Sequence, residues 1–534
     1  MNCDIMIIML ETPAKYLLLP GRHQAVTQWQ VDHIHNLLGR SDVDPDVQVV
    51  WAITSANHGG TRRNPIPGVR RLCMAQAVAD SERIPSLVYP VTNMRQRPNF
   101  AHFLVEDIHT QIGGIAMNTA NTLVLCSTPG MIEQYRELGF AVDTMELDEA
   151  TGQLVAQRPW DLVERLIELG GGWQSDTHLC GQFAGQCLAH YQKYHLGQQI
   201  IDVFSDPLIT TGEGDITNTR DYRSYLAAFE NGAQRKVDIF GQYVKRGKIL
   251  DIGCATGETL RLLSQRPELF ESDFYGVEVT RTLFDECKRR EERGDFEPAS
   301  IFFRQKNIMQ ERLFTPGSLD TAISMALTHE VESYTGREAL KAFVQRTHDM
   351  LNSGGVYINF DVVGPRDKDE TVYALLTDND GENPEDLRFD LAGEELADFL
   401  GTLSSKARFR RFAQDFRAGE DDRISVQYET INGQEYAVLT HGDLCEFLAH
   451  KDYLKSWKSE MHERFCFFNY DDWKQLLESV GFELTEGSGP ITNQWLIDNR
   501  FAPAAQVFSR GENGELSPTP TPETNVLLVA KKPE

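Results

Sequence analysis

The sequence has no hydrophobic run long enough to cross a bilayer, no paired cysteine motif and comparatively little positive charge. Its nine cysteines are scattered, odd in number and free of any C-x-x-C pair, so neither a disulfide framework nor a zinc site is expected. The apolar run within residues 1–21 is too short to span a membrane and lacks the basic segment of a signal peptide. We therefore expect a protein of the reducing cytoplasm.

The charge balance is acidic. With 52 basic and 79 acidic side chains the formal charge is −27, which argues against nucleic acid as the default partner. The 534 residues and 41% hydrophobic content predict two or three globular domains. One basic and aromatic run, KARFRRF at 406–412, fits either an anion or nucleic-acid contact or one face of an amphipathic helix, and we expect the helix face.

Residues 248–259, KILDIGCATGET, carry the strongest functional signal of the chain. An apolar strand interrupted by Asp251 leads directly into a loop that contains Gly253, Ala255 and Gly257. Small residues let the backbone approach a bound molecule, and the helix that follows offers unpaired N–H groups to a carboxylate. A ligand is therefore expected where this strand ends.

Other ligand-binding loops fit the same residues less well. A dinucleotide-binding G-x-G-x-x-G loop would need glycine where Ala255 and Glu258 stand, and the Gly-Lys-Ser/Thr of a phosphate-binding P-loop is missing. The next predicted strand, 274–279, carries Glu278 about twenty residues beyond the loop, where an acidic side chain binds both ribose hydroxyls of a nucleoside. The pattern thus favours a nucleoside cofactor.

These residues resemble the first motif of class I S-adenosylmethionine-dependent methyltransferases. The resemblance implies that S-adenosylmethionine is held by Asp251, Gly253, Ala255, Gly257, Glu278, Asn307, Ile308 and Tyr225. Asn307 stands where the family usually has an acidic residue at the adenine amino group, and its carbonyl can still accept that hydrogen bond. Tyr225 lies on a predicted helix ahead of the motif, where it either contacts the cofactor or packs into the core.

The resemblance also implies an α/β fold with a seven-stranded sheet. Strands are predicted at 248–252, 274–279, 300–304, 319–325 and 355–362, and the closing helix and strands at 470–480, 482–486 and 524–531. This assigns residues 215–365 and 466–534 to the methyltransferase domain. The segment between them, 366–465, is too long for a plain loop and is predicted to be a cap over the acceptor.

A histidine follows the fourth predicted strand. Ligands of parallel sheets bind at the carboxyl ends of the strands, and methyl transfer to a neutral oxygen or nitrogen atom requires removal of a proton. His329 is therefore the candidate general base, although a histidine here can also cap the helix or pack. His462 and Glu463 form a second polar cluster, and we expect the cap to bring His462 toward His329. The acidic stretch 377–386 departs from a calcium loop, and we expect no metal site.

Residues 1–165 alternate strand-like and helix-like segments, which predicts a separate α/β domain. This part resembles the nicotinamide-nucleotide adenylyltransferase branch of the nucleotidylyltransferase fold through Gly21, Arg22, Gln24, Asn64, Pro65 and Arg71. The two histidines that would stabilise a transferring phosphate are replaced by Thr27 and Gln30, and Trp29 replaces the glycine between them. We therefore expect this nucleotidylyltransferase-like Rossmannoid domain to keep the fold and not the reaction.

The role of that first domain stays open between two interpretations. It is either a structural module or a module that binds a nucleotide or presents the substrate through Arg22, Arg62 and Arg63. Residues 166–214 are predicted to be a helical linker. For the whole chain we expect methyl transfer to a small-molecule acceptor; the alternatives are a nucleic-acid-modifying methyltransferase and a non-catalytic nucleotide-binding protein.

Overall fold

The computed structural model divides into two compact units, Met1–Gly214 and Asp215–Glu534. It describes residues 12–92, 99–111, 115–205, 232–297, 299–309, 313–420 and 423–534. Within these ranges no helix combines the length and the apolar character that crossing a bilayer requires. Each unit is built around its own sheet, which is parallel in the first unit and mainly parallel in the second.

The first unit contains a five-stranded parallel sheet of order β3-β2-β1-β4-β5. Its strands are β1 (Ala14–Gly21), β2 (Val43–Thr54), β3 (Ser86–Val91), β4 (Thr122–Leu125) and β5 (Ala141–Asp143). Successive side chains of a strand point to opposite faces, so Leu17 and Leu19 enter one core and Leu18 the other. Helices therefore cover both faces, as the alternation in 1–165 predicts.

The helices and a short hairpin complete this unit. The helices are α1 (Gln28–Leu38), α2 (Gly68–Glu82), α3 (Phe100–Gln111), α4 (Pro129–Glu137), α5 (Pro159–Leu169), α6 (Thr177–Gln182), α7 (Gly185–Lys193) and α8 (Leu196–Ser205). The hairpin consists of β6 (Leu147–Asp148) and β7 (Gln153–Leu154).

The prediction of a helical linker over 166–214 was wrong for its described part. Trp173, Phe183 and Tyr191 are buried in the same apolar core as β1 and β2. The Tyr191 hydroxyl donates to the Gln24 carbonyl at 2.6 Å, and the Ala184 N–H donates to the Val26 carbonyl. These helices carry large apolar faces that are stable only when buried, so they belong to the first unit.

The described part of the second unit contains two sheets. The strands are β8 (Lys248–Ile252), β9 (Asp273–Glu278), β10 (Ser300–Gln305), β11 (Leu319–Met325), β12 (Leu351–Val362), β13 (Thr371–Leu376), β14 (Gln427–Ile431), β15 (Gln434–Thr440), β16 (Glu483–Leu484), β17 (Gly489–Ile491), β18 (Ala505–Arg510), β19 (Leu516–Pro518) and β20 (Asn525–Lys531). The larger sheet has the order β10-β9-β8-β11-β12-β20-β16, with β17 also paired to β20.

This larger sheet has the class I methyltransferase topology that the resemblance implies. Strands β8 to β12 are parallel, and β20 is antiparallel to β12. Strand β8 lies in the middle and is buried on both faces, because Leu250 and Ile252 enter one core and Ile249 the other. The motif loop therefore follows the central strand at the carboxyl edge of the sheet.

The helices of the second unit lie beside these strands and in the cap. They are α9 (232–240), α10 (Glu258–Ser264), α11 (Arg281–Glu292), α12 (Thr328–Thr335), α13 (Arg337–Met350), α14 (Gly393–Thr402), α15 (Ser405–Asp415), α16 (His441–His450), α17 (Trp457–Glu460), α18 (Tyr470–Val480), α19 (Gln494–Leu496) and α20 (Ala502–Ala504). A short π-helix, Ile497–Phe501, joins α19 to α20.

The cap contains more of the chain than 366–465. Its antiparallel sheet has the order β14-β15-β13-β18-β19, and Tyr373 of β13 is the register partner of Phe508 of β18. The assignment of all of 466–534 to the methyltransferase sheet was therefore wrong for β18 and β19. The reason is that the exposed edge of β13 must be paired, and a second insertion before β20 supplies that strand.

The basic run 406–412 forms part of α15 and contributes to the core of the cap. Phe409 and Phe412 are fully buried, and the Arg411 side chain is 3% exposed. Arg408 donates to three backbone carbonyls, and Arg411 donates to two more and to Asp415. The helix-face interpretation of this run is thus the one that the structure supports.

Candidate active site

The motif loop makes a tight turn directly after β8. The N–H groups of Gly253 and Cys254 donate to the Val277 carbonyl of β9 at 2.8 and 3.1 Å. Gly253, Ala255 and Gly257 have φ values of 70°, 48° and 77°, a conformation that costs a side-chain-bearing residue energy. A Cβ on Gly257 would lie 2.8 Å from the Phe303 ring. Gly257 is therefore favoured by both conformation and space.

Asp251 lies at the inner end of this turn with one oxygen unsatisfied. Its side chain is 1% exposed, and Oδ1 has no hydrogen-bond partner among the residues that the structure describes. Burial, reinforced by the nearby Glu278 carboxylate, raises the pKa of Asp251 to about 8. A buried acceptor without a partner costs about 1–3 kcal/mol, so a donor or cation on a bound ligand would find a ready site here.

Glu278 ends β9 and contacts the motif loop. Its two carboxylate oxygens accept the N–H groups of Ala255 at 3.0 Å and Thr280 at 2.7 Å. Burial raises the pKa of Glu278 to about 7, although the two N–H donors oppose that shift. Each oxygen keeps a second lone pair, so this side chain can hold the loop and also accept hydrogen bonds from a ligand.

The other predicted cofactor residues are placed less directly. Asn307 follows β10, and its side-chain oxygen accepts the Met309 N–H at 2.8 Å. Ile308 is buried, and its carbonyl accepts a hydrogen bond from Arg346. Tyr225 lies outside the described residues, so its predicted contact with the cofactor stays a prediction.

A lysine of α9, Lys236, interacts electrostatically with the buried carboxylates Asp251 and Asp361. Burial lowers the pKa of Lys236, while the charges of Asp361 and Asp251 act in the opposite direction. Its ammonium group lies 6.0 Å from the centre of the Phe360 ring. The helix ahead of the motif thus places one cation near two buried carboxylates, and sequence reasoning did not identify it.

His329 and Asp361 form a buried ion pair at the carboxyl edge of the sheet. His329 lies in the first turn of α12, directly after β11, and its Nδ1–H donates to Asp361 Oδ1 at 2.6 Å. The other Asp361 oxygen accepts the N–H and hydroxyl of Thr328. Both partners are almost fully buried, with 7% and 1% of their side chains exposed. Asp361 therefore fixes the orientation and the tautomer of the imidazole.

The opposite imidazole nitrogen faces Glu463. His329 Nε2 lies 3.5 Å from Glu463 Oε2, and the Tyr334 hydroxyl donates to the other Glu463 oxygen at 3.3 Å. Among the described residues, one group brings metal-ligand atoms within 4.8 Å of one another, and it consists of His329, Glu330 and Glu463. His329 thus has Asp361 on one ring nitrogen and Glu463 near the other, at the place where methyl transfer is expected.

The two carboxylates control the protonation of His329. Burial disfavours its charge, but Asp361 and Glu463 outweigh burial and raise the pKa of His329 well above its usual value. The imidazole in turn holds the pKa of Asp361 below its usual value despite burial. The imidazole is therefore a stronger base than an ordinary histidine, and less of it is neutral at pH 7.

A buried carboxylate of the cap, Glu446, holds the backbone just after Glu463 in place. Glu446 of α16 accepts the backbone N–H groups of Phe465 and Cys466 at 2.9 and 2.8 Å. The Phe465 ring packs edge-on against His329 with 5.0 Å between ring centres. The expected meeting of His462 with His329 was wrong: His462 is 58% exposed and lies 4.0 Å from Glu420. Of these two adjacent residues, Glu463 faces His329 and His462 is exposed.

Besides Lys236, the described structure thus adds Asp361 and Glu463 to the predicted site. Asp361 was missed because it is a single charge inside an apolar strand, although the rule that identified Glu278 at the end of β9 applies equally to the end of β12. Glu463 was recognised as polar, but no local pattern indicates which of His462 and Glu463 points inward.

In the first unit, the residues that replace the two phosphate-binding histidines bond to each other. Thr27 Oγ1 accepts the Gln30 N–H at 3.0 Å, and Gln30 Oε1 accepts the Thr27 N–H at 3.3 Å, which is a capping box at the start of α1. Gln30 also donates to the buried Glu146 at 2.9 Å. Arg71 is fully buried and donates to five backbone carbonyls. These side chains are occupied within the protein.

Comparison with known proteins finds one family whose match includes the motif loop. Residues 249–355 match the family described as Methyltransferase domain. No curated protein matches the chain. The chain is similar to S-adenosylmethionine-dependent methyltransferase structures from Methanosarcina mazei (14% identity, 55% of this chain and 97% of that chain, TM-score 0.28), Mesorhizobium loti (12%, 57% and 100%, 0.31) and Thermotoga maritima (12%, 59% and 97%, 0.30). With TM-scores this low, they carry no argument about the acceptor.

The family match and the motif define the class of enzyme. The protein is a methyltransferase, and S-adenosylmethionine is its cofactor. The interpretation as a non-catalytic nucleotide-binding protein is therefore set aside.

Proposed function

We propose that the protein transfers a methyl group from S-adenosylmethionine to an oxygen or nitrogen atom of a small molecule. The observation that carries this proposal is the His329–Asp361 pair, which lies after β11 and β12 at the edge where the motif loop follows β8. A parallel sheet binds ligands at this edge. A cofactor at the motif loop and an acceptor beside His329 would thus be neighbours.

The residues of the motif loop fit S-adenosylmethionine. The orphaned Oδ1 of Asp251 suits a cationic or hydrogen-bond-donating part of the cofactor, and the second lone pairs of Glu278 suit ribose hydroxyls. Asn307 and Ile308 follow the neighbouring strand and would contact adenine. When bound, the cofactor supplies an electrophilic methyl group on a sulfonium; alignment and proton removal are left to the protein.

His329 is proposed to remove the acceptor's proton. Asp361 keeps the proton of Nδ1 in place, so Nε2 is the nitrogen that takes the proton from the acceptor. Glu463, 3.5 Å away, stabilises the imidazolium that results. Burial of all three groups strengthens these interactions, because little water is present to screen them.

The alternative of a nucleic-acid substrate has less support. Its main sequence feature, the basic run 406–412, contributes its phenylalanines and two of its arginines to the core of the cap. The formal charge of −27 also opposes binding to a phosphate backbone.

For the first unit we propose a nucleotidylyltransferase-like fold that binds a nucleotide, or presents the substrate, without adenylyl transfer. Its parallel sheet and the match at Gly21, Arg22 and Asn64 support the fold. The capping box of Thr27 and Gln30 supports the loss of the reaction, since neither residue carries charge to a phosphate. We also propose a cytoplasmic location, in line with the eight described cysteines being free thiols.

The test of the proposed function is transfer of isotope from methyl-labelled S-adenosylmethionine into a cell extract divided into a small-molecule fraction and a nucleic-acid fraction. We expect the wild-type protein to label a compound in the small-molecule fraction. His329→Ala should label it far more slowly at equal protein concentration. Label in the nucleic-acid fraction alone would contradict the proposed acceptor class.

A further inference from the structure

We propose that the methyl acceptor is a ring-containing, largely apolar small molecule with one anionic group, and that it binds in a cavity at the end of β12. Its wall is formed by residues at the end of β12, in α16, in the π-helix and at the start of β20. This inference rests on the proposed function, because it names the acceptor of that reaction.

The cavity lies next to the catalytic pair in the chain and in space. Its wall includes Val362 and Val363, which directly follow Asp361. Phe465 lines the same cavity and also packs against His329, with 5.0 Å between ring centres. Phe465 thus connects the wall of the cavity to the residue proposed as the base.

The inner walls are apolar. Ala449 and Cys445 of α16, Phe465 and Phe501 contribute carbon and sulfur atoms. Burial raises the pKa of the Cys445 thiol well above its usual value, so this sulfur carries no charge at neutral pH. Aromatic rings pack well against such walls, which selects a flat apolar body over a sugar or a polyamine.

The mouth of the cavity supplies one oriented cation. The guanidinium of Arg500 lies 5.7 Å from the Trp495 ring centre and 6.0 Å from that of Tyr453. These rings are 55% and 40% exposed although they are large and apolar. Arg500 also lies 3.6 Å from Asp452, which leaves further donors of its planar fork for an anion.

The second charged residue of the wall restricts where the anion can bind. Glu523 accepts the backbone N–H of Arg366 at 2.9 Å and is held in that position. Its carboxylate repels an anion from that side. The structure therefore favours a single carboxylate, sulfonate or phosphate placed toward Arg500.

Two fluorescent probes test the cavity in the full-length protein. Anilinonaphthalene sulfonate has an apolar ring system with one sulfonate, and N-phenylnaphthylamine is its neutral counterpart. We expect both to bind, and Ala449→Trp to weaken both at least about tenfold by filling the cavity. Arg500→Gln should weaken the sulfonate probe about tenfold and leave the neutral probe unchanged. Phe270→Ala, which removes an exposed aromatic at the amino end of β9, is the control and should change neither.

A second filling variant and cofactor binding make the outcomes distinct. Leu496→Trp fills the cavity from its other wall, so a folding defect in one variant does not decide the result. Probe binding that both tryptophan variants leave unchanged, or equal losses of both probes in Arg500→Gln, would overturn the inference. Calorimetry with S-adenosylmethionine on the same samples separates this inference from the proposed function. We expect both tryptophan variants to bind the cofactor normally. A wild-type protein that binds the probes but not the cofactor would overturn the proposed function instead.

Discussion

Asp361 accepts the Nδ1–H of His329 at 2.6 Å and thereby joins the ends of two neighbouring strands, β11 and β12. The pair is buried, and Thr328 bonds to the same carboxylate. A histidine that only capped its helix would not need a second carboxylate, yet Glu463 lies on its other side. We therefore interpret this arrangement as a base that is oriented on one nitrogen and active on the other.

The first prediction concerns the base itself. His329→Ala should lower the turnover number by about 10²–10⁴, because proton removal in the transition state is lost. The affinity for S-adenosylmethionine should stay nearly unchanged, since the motif loop is not altered. His462→Ala is the matched control, because this exposed histidine should not contribute. An equal loss in both variants would contradict the assignment, and turnover with calorimetry on the same samples measures it.

The second prediction is a shift of the pH profile. Turnover should rise with pH as His329 loses its proton, with an apparent pKa above 6.5 because two carboxylates stabilise the imidazolium. Asp361→Asn should lower that apparent pKa. Burial lowers the pKa of His329, and this variant removes one of the two carboxylates that raise it. Glu463→Gln should act in the same direction. Turnover measured between pH 5.5 and 9 in the wild type and both variants tests this. The same apparent pKa in all three proteins would refute the role of the pair.

The third prediction concerns cofactor affinity and pH. Asp251 has a raised pKa of about 8, so it is mostly protonated below that pH and must ionise to bind a cationic ligand. Affinity for S-adenosylmethionine should therefore increase from pH 6 to 8, by at most about tenfold per pH unit, with release of a proton. Asp251→Asn should bind weakly and lose this contribution to the pH dependence. Calorimetry in two buffers of different ionisation enthalpy measures the proton release.

The same raised pKa predicts how stability changes with pH. The folded protein holds a proton on Asp251 at pH values where the unfolded chain has lost it, so this group stabilises the fold near pH 4 and its contribution is lost as pH rises through about 8. Glu278 behaves alike up to about pH 7. Relative to wild type, Asp251→Asn should thus show a free energy of unfolding that falls less steeply between pH 5 and 8.5. Chemical denaturation across that range tests this, and a parallel pH dependence in both proteins would contradict it.

The fifth prediction concerns the first unit. Thr27→Ala should lower the free energy of unfolding of this unit by about 1 kcal/mol through loss of the cap of α1, and Thr27→Ser should restore most of it. Neither variant nor the wild type should release pyrophosphate from ATP and nicotinamide mononucleotide. Pyrophosphate release by the wild type that Thr27→Ala reduces would show that the adenylyl-transfer reaction survives.

The sequence predicted the central sheet well because its signals are local. Apolar runs define β8 to β12, and the positions of Gly253 and Gly257 mark the turn between strand and helix. The pairing of β13 with β18 joins residues more than a hundred positions apart, and no local pattern encodes it. Likewise, Glu463 points toward His329 and His462 does not because of how the cap packs. Glu446 holds the backbone that follows these two residues.

The most direct measurement of the central claim is calorimetric titration of the wild-type protein and Asp251→Ala with S-adenosylmethionine, its demethylated product and NAD. The wild type should bind the first two with one site each and NAD weakly or not at all, and Asp251→Ala should lose most of the cofactor affinity because buried polar groups of the ligand are left unpaired. Tight binding of NAD together with no binding of S-adenosylmethionine would contradict the account.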